Sequence, residues 1–65
     1  MYDLTDKQRT YLLKLLGDVN YVEENPFDAQ YINTIVKHDG YTRKNKVALN
    51  SLLIPRYEKY KKGKT

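Results

Sequence analysis

The sequence predicts an all-α fold, a three-helix bundle with a short fourth helix after Pro55. Three observations point there. Apolar residues recur at helical spacing in three separate blocks: Leu12, Leu15, Leu16 and Val19; Ala29, Ile32, Ile35 and Val36; Ala48, Leu49, Leu52 and Leu53. Each block follows a helix-start signal and precedes a stop signal. The chain of 65 residues contains no cysteine, so helix packing or a partner must hold so small a domain together.

The first helix opens on a capping box. The Thr5 hydroxyl takes the amide of Gln8 and the Gln8 side chain reaches back to Thr5, while Asp6 meets the positive end of the helix dipole. Gly17 and Asn20 end it near residues 17–19. Residues 18–26, DVNYVEENP, read as an acidic connection in which Val19, Tyr21 and Val22 cover one edge of the core. Asn25 then caps a second helix, with Pro26 pre-organised at its first position and Asp28 at its third. Its buried face is Ala29, Ile32, Ile35 and Val36, with Phe27 and Tyr31 alongside, and Asp39-Gly40 closes it, the glycine supplying the left-handed conformation. Thr42 caps the third helix, whose apolar face has Val47 beside it. Pro55 lacks an amide and disfavours helical geometry at Ile54, so it should interrupt this helix. PRYEKYKK resumes as a short amphipathic helix with Pro55 at its first position. Residues 1–62 form one domain and residues 63–65 a frayed basic tail. The expected core is Leu12, Leu15, Leu16, Ile32, Ile35, Val36, Leu49, Leu52 and Leu53.

Two segments share a pattern at an offset of 37 residues. LTDKQRTYLLKLL, residues 4–16, aligns with YTRKNKVALNSLL, residues 41–53. Thr5 falls on Thr42, Gln8 on Asn45, Leu12 on Leu49, Leu15 on Leu52 and Leu16 on Leu53. Shared capping rules account for the threonines and leucines. The cations Lys7/Lys44 and Arg9/Lys46 are not explained that way, because positive charge in a first turn opposes the dipole.

Charge is unevenly placed. Residues 1–36 carry six carboxylates against three cations, and residues 37–65 carry nine cations against two carboxylates. No apolar run approaches a membrane span of roughly 20 residues, and MYDLTDKQ lacks the pattern of a secretory leader. A soluble, cytoplasmic protein without membrane association is expected. His38 is the only histidine and Ser51 the only serine, and they fall at the ends of different elements. His38-Asp39 supplies too few ligands for zinc, and no glycine-rich phosphate loop is present. The expectation is therefore a non-enzyme with no catalytic residues, no metal and no cofactor.

The basic second half points to a polyanion. Lys37, Arg43, Lys44, Lys46, Arg56, Lys59, Lys61 and Lys62 are placed to neutralise phosphates, and Tyr41, Tyr57 and Tyr60 interleave with them as stacking or gripping surfaces. The helix-turn-helix pattern is not met, since Val36, Asp39 and Lys46 all disagree with it. INTIVKHDGYTRKNKVALNSLL resembles the SAP family of DNA-binding helix-extended loop-helix motifs, through Ile35, Gly40, Tyr41, Lys46, Leu49, Leu52 and Leu53. It departs from that pattern in a spacing one residue short after Gly40 and in Asn45 where a glycine is usual. LTDKQRTYLLKLL and TRKNKVALNSLLIPRYEKY also resemble the helical modules of small bacteriophage-encoded accessory proteins of replication and recombination. That resemblance implies DNA binding or capture of a host enzyme, in the host cytoplasm.

The leading expectation is a nucleic-acid-binding accessory domain, with DNA ahead of RNA. The rival is a protein-protein adaptor or inhibitor that uses the acidic edge at Glu23 and Glu24 or an apolar patch. A third is a structural module cut from a longer protein.

Overall fold

The computed structural model describes residues 2–63. In chain order these form β1 (Tyr2–Asp3), α1 (Asp6–Leu16), α2 (Val19–Glu24), α3 (Pro26–His38), β2 (Gly40–Tyr41), α4 (Arg43–Ala48), a π-helical segment (Leu49–Leu53) and α5 (Ile54–Gly63). The fold is overwhelmingly helical. Its one sheet is a two-residue antiparallel ladder that sets Tyr2 opposite Tyr41 and Asp3 opposite Gly40. Of the expected tail, Gly63 ends α5, and residues 64–65 lie outside the described residues.

α1 starts on the expected capping box. The Gln8 amide donates to the Thr5 hydroxyl at 3.1 Å, and the Thr5 amide donates to Gln8 Oε1 at 3.0 Å. Thr42 starts α4 in the same way, accepting from the Asn45 amide at 3.1 Å. α3 begins at Pro26 as expected, but Asn25 makes no side-chain cap there. Its amide group turns back and donates to the Tyr21 carbonyl at 3.2 Å, closing α2 instead. The αL residue after α3 is Asp39, with φ 56°, and not Gly40. A short polar side chain tolerates that conformation. In this arrangement the Asp39 carboxylate accepts from the Arg9 guanidinium and ties the end of α3 to α1. Gly40 is thereby left in the extended ladder.

Residues 18–26 hold a helix where the sequence reads as a connection. Asp18 caps α2 by accepting from the Tyr21 amide at 3.2 Å. Six residues are too few to display a period, which is why the element escaped pattern reading. Its function in the fold is to deliver Tyr21 to the centre, where the ring is wholly buried and its hydroxyl donates to Asp28 at 3.0 Å.

The largest departure lies at Pro55. The helix does not break there: Ala48, Leu49 and Ile54 all keep right-handed helical geometry, so residues 43–63 run as one rod. A proline in a regular α-helix strikes the carbonyl four residues back, here that of Ser51, and leaves it without a donor. The wider π turn relieves the clash. The Ile54 amide reaches five residues back, to the Leu49 carbonyl. The wider turn also resets the buried face. Leu49, Leu53 and Tyr57, spaced by four, all point inward. Leu52, expected in the core, is turned out and is 57% exposed.

The core is Leu4, Leu12, Leu15, Tyr21, Ile32, Ile35, Tyr41, Leu49, Leu53 and Tyr57, with Tyr11, Leu16, Val36, Ile54 and Tyr60 packed on its edge. Aromatic rings join α1 and α2 to α5. Tyr57 meets Tyr21 and Tyr11 edge-on, with centroids 4.9 and 6.3 Å away, and Tyr21 meets Tyr60 at 5.1 Å. Such pairs add to the free energy of burial and fix ring orientation.

Candidate functional site

The residues expected to bind nucleic acid fall into two groups in the fold. The first group holds the domain together. Tyr41 is buried, its hydroxyl accepts from Gln8 Nε2 at 2.8 Å, and its ring meets Tyr2 edge-on at 6.2 Å. Tyr57 is buried and donates to Asp18 at 3.3 Å. Neither ring has a face open to a base. Tyr60 is half-buried and stacks on Tyr57 at 6.4 Å. Lys46 lies with its Nζ 4.6 Å from the Tyr2 ring centre, and the Lys61 Nζ lies 5.1 Å from that of Tyr57. The Arg56 Nη1 donates to both oxygens of Asp28, at 2.9 and 2.8 Å. Asp28 is a buried carboxylate, and such a charge demands partners. Tyr21 and Arg56 supply them.

The second group is exposed. Lys37 at the end of α3 and Arg43 and Lys44 at the start of α4 flank the β2 turn, and Lys59 and Lys62 lie on α5. Among the described residues, Lys37, Arg43, Lys44 and Lys59 make no ion pair. Asp39, the nearest carboxylate in sequence to Arg43 and Lys44, is taken by Arg9. That contact, followed by the one to Asp6, raises the pKa of the Arg9 guanidinium.

Arg43 and Lys44 also edge a shallow apolar groove whose remaining walls are Val47, Ala48 and Leu52. Val47 is 58% exposed and Leu52 57%. This surface was not foreseen as a unit, because Leu52 reads as core on an unbroken α-helical period. The one signal in the sequence that bears on it is Pro55, which a regular α-helix does not accommodate. A second cleft lies between α1 and the rod, lined by Lys7, Gln8, Tyr11, Leu12, Leu49, Asn50, Ile54 and Glu58, with a volume of about 240 Å³. The buried Tyr11 hydroxyl has no hydrogen-bond partner among the described residues, and burial raises its pKa. On α3, Phe27 is 84% exposed beside Gln30, Tyr31 and Thr34.

Burial, then the Asp28 carboxylate, pushes the Tyr21 phenol up to about 12, and burial raises Tyr57 as well. Both effects favour the neutral, hydrogen-bonding form that the core needs. Among the described residues no three His, Asp or Glu side chains converge to hold a metal, and no helix is long and apolar enough to cross a membrane. His38 and Ser51 are both exposed, at the end of α3 and within the π segment.

The chain matches no protein-family model, no curated protein and no solved structure.

Proposed function

We propose that the domain is a protein-binding adaptor that works through the first half of its long helix. One observation carries this reading. Val47 and Leu52 are large apolar residues left more than half exposed side by side, in a chain with few such residues to spare for its core. The π turn that exposes Leu52 costs regular hydrogen bonding, and π-bulges cluster at functional positions. Most of the aromatic and several of the basic residues first assigned to nucleic acid have internal partners, which moves that reading to second place.

The second reading, contact with nucleic-acid phosphates, rests on Lys37, Arg43, Lys44 and Lys59, which are exposed and, among the described residues, make no ion pair. The two are separated by a pair of measurements on the intact chain. Retention of cross-linked proteins from a lysate is expected to fall sharply for Leu52→Lys. Duplex binding across a salt series is expected to show no steep slope. A log-log slope near −3 to −4, corresponding to about four phosphate contacts and unchanged by Leu52→Lys, would install the nucleic-acid reading instead.

A further inference from the structure

The groove combines three properties: apolar walls of Val47, Ala48 and Leu52, two cations at one end, and, among the described residues, no carboxylate in its lining or paired with those cations. From Arg43 to Leu52 the rod rises about 14 Å, between two and three turns. A groove running along one helix is matched in shape by the side-chain ridge of a second helix. We infer that its occupant is a short amphipathic helix of a partner protein, with aliphatic residues at i, i+3 or i+4, and i+7, and with Asp or Glu at the end that meets Arg43 and Lys44. This inference rests on the adaptor reading and names the chemistry of its partner. A nucleic acid would use the two cations but gain nothing from three aliphatic side chains. The acidic helix of a second copy, Val19–Glu24, is a poor occupant, because it exposes only Val19 as a large apolar anchor while Tyr21 is buried in its own core.

The cations then select the partner, and the aliphatic walls hold it. Helix-in-groove recognition divides labour in this way, with apolar anchors supplying most of the affinity and rim charges setting the choice of partner and the approach.

The test uses the full chain, isotopically labelled, and three synthetic helical peptides of about 18 residues, long enough to hold helical structure. One carries leucines at the stated spacing and glutamates at one end. The second has each glutamate replaced by glutamine. The third keeps the glutamates and replaces the leucines by alanine. Amide shifts at Val47, Ala48 and Leu52 report occupancy of the groove. The glutamate peptide is expected to bind roughly fivefold more tightly than the glutamine peptide at low salt, as two exposed charge pairs would give, and the alanine peptide not at all. Arg43→Gln with Lys44→Gln should erase the preference, and Leu52→Lys should abolish binding of both leucine peptides. All of these substitutions are at exposed positions, and a circular dichroism spectrum checks that each variant folds. Equal affinity for the glutamate and glutamine peptides would overturn the acidic assignment while leaving the adaptor reading standing. Binding by neither leucine peptide would overturn the inference, and the lysate retention of Leu52→Lys would then decide the adaptor reading separately. Groove shifts that grow with protein concentration alone, with a dimer in sedimentation, would replace the inferred helix by a second copy. Groove shifts caused by duplex DNA and by none of the peptides would replace it by nucleic acid.

Discussion

α1 and the rod formed by residues 43–63 begin alike and end as opposites. Both open on a threonine whose hydroxyl accepts the amide three residues on. Both carry cations in the first turns and leucines at the same offsets. In α1 the regular period continues, and Leu15 is buried completely. In the rod, Pro55 imposes a π turn, and Leu52, the position matched to Leu15, faces solvent. One pair of cations diverges too. Arg9 is held by Asp6 and Asp39, and its counterpart Lys46 lies on the Tyr2 ring, while Lys7 and Lys44 are both exposed at the edge of a cleft. The resemblance is therefore a shared way of starting a helix. What each helix presents is decided a turn or more later, by a residue outside the repeated segment.

The widest divergence to be expected is in stability. Leu15→Ala should cost about 2–5 kcal/mol, enough to unfold most of so small a domain, because it empties a closed site. Leu52→Ala should stay within about 0.5 kcal/mol, as surface substitutions do. Urea or thermal denaturation followed by circular dichroism measures both. Comparable losses at the two positions would restore the symmetry that the structure denies.

Where the two helices meet, at the tyrosine seam, pH provides the next test. The Tyr21 phenol ionises near its ordinary value in the unfolded chain and at about 12 in the fold. Above pH 10 the folded state therefore binds more protons than the unfolded state, and stability falls as pH rises. Its contribution is fully present below pH 10 and is lost on the way to 12, at about 1.4 kcal/mol per pH unit from this one group. Melting temperatures at pH 9 and 11 give the slope. Tyr21→Phe should flatten it relative to the unaltered chain, which assigns the slope to this phenol.

A smaller effect sharpens the comparison at the helix starts. Thr5→Ala and Thr42→Ala should each cost about 1 kcal/mol, with Thr5 the larger. At Thr5 the box is reciprocal, and Gln8 closes it while also bonding Tyr41. At Thr42 the matching residue, Asn45, accepts instead from Tyr31 on α3. Denaturation curves of the two variants rank the caps, and a larger loss at Thr42 would reverse the order.

The local grammar of the chain was legible. Thr5, Pro26 and Thr42 start helices where their chemistry says they should, and most leucines and isoleucines at helical spacing are inside. What escaped depends on contacts distant in sequence. Tyr41 and Tyr57 read as surface because their hydroxyls look polar until Gln8 and Asp18 are seen to satisfy them, and Tyr21, expected at the edge of the core, reaches its centre because Asp28 takes its hydroxyl. Arg56 read as a phosphate ligand because its carboxylate lies 28 residues away. The groove was hidden by one assumption, that the helix keeps a regular α-helical period as far as Pro55. Of the expected site, Lys37, Arg43, Lys44, Lys59 and Lys62 are presented to solvent. The aliphatic residues beside them were assigned to the core or its edge.

The central claim is that Pro55 turns Leu52 outward while keeping its neighbour Leu53 inside, and the absence of native cysteine makes it directly measurable. Leu52→Cys and Leu53→Cys each place a single thiol in the chain, and the rate of modification by a disulfide reagent reports exposure. Leu52→Cys should react at close to the rate of the denatured chain, and Leu53→Cys more slowly by about a hundredfold or more, since its thiol is reached only through opening of the fold. Equal protection at both positions would mean that the rod keeps a regular α-helical face, that Leu52 is core, and that the groove does not exist.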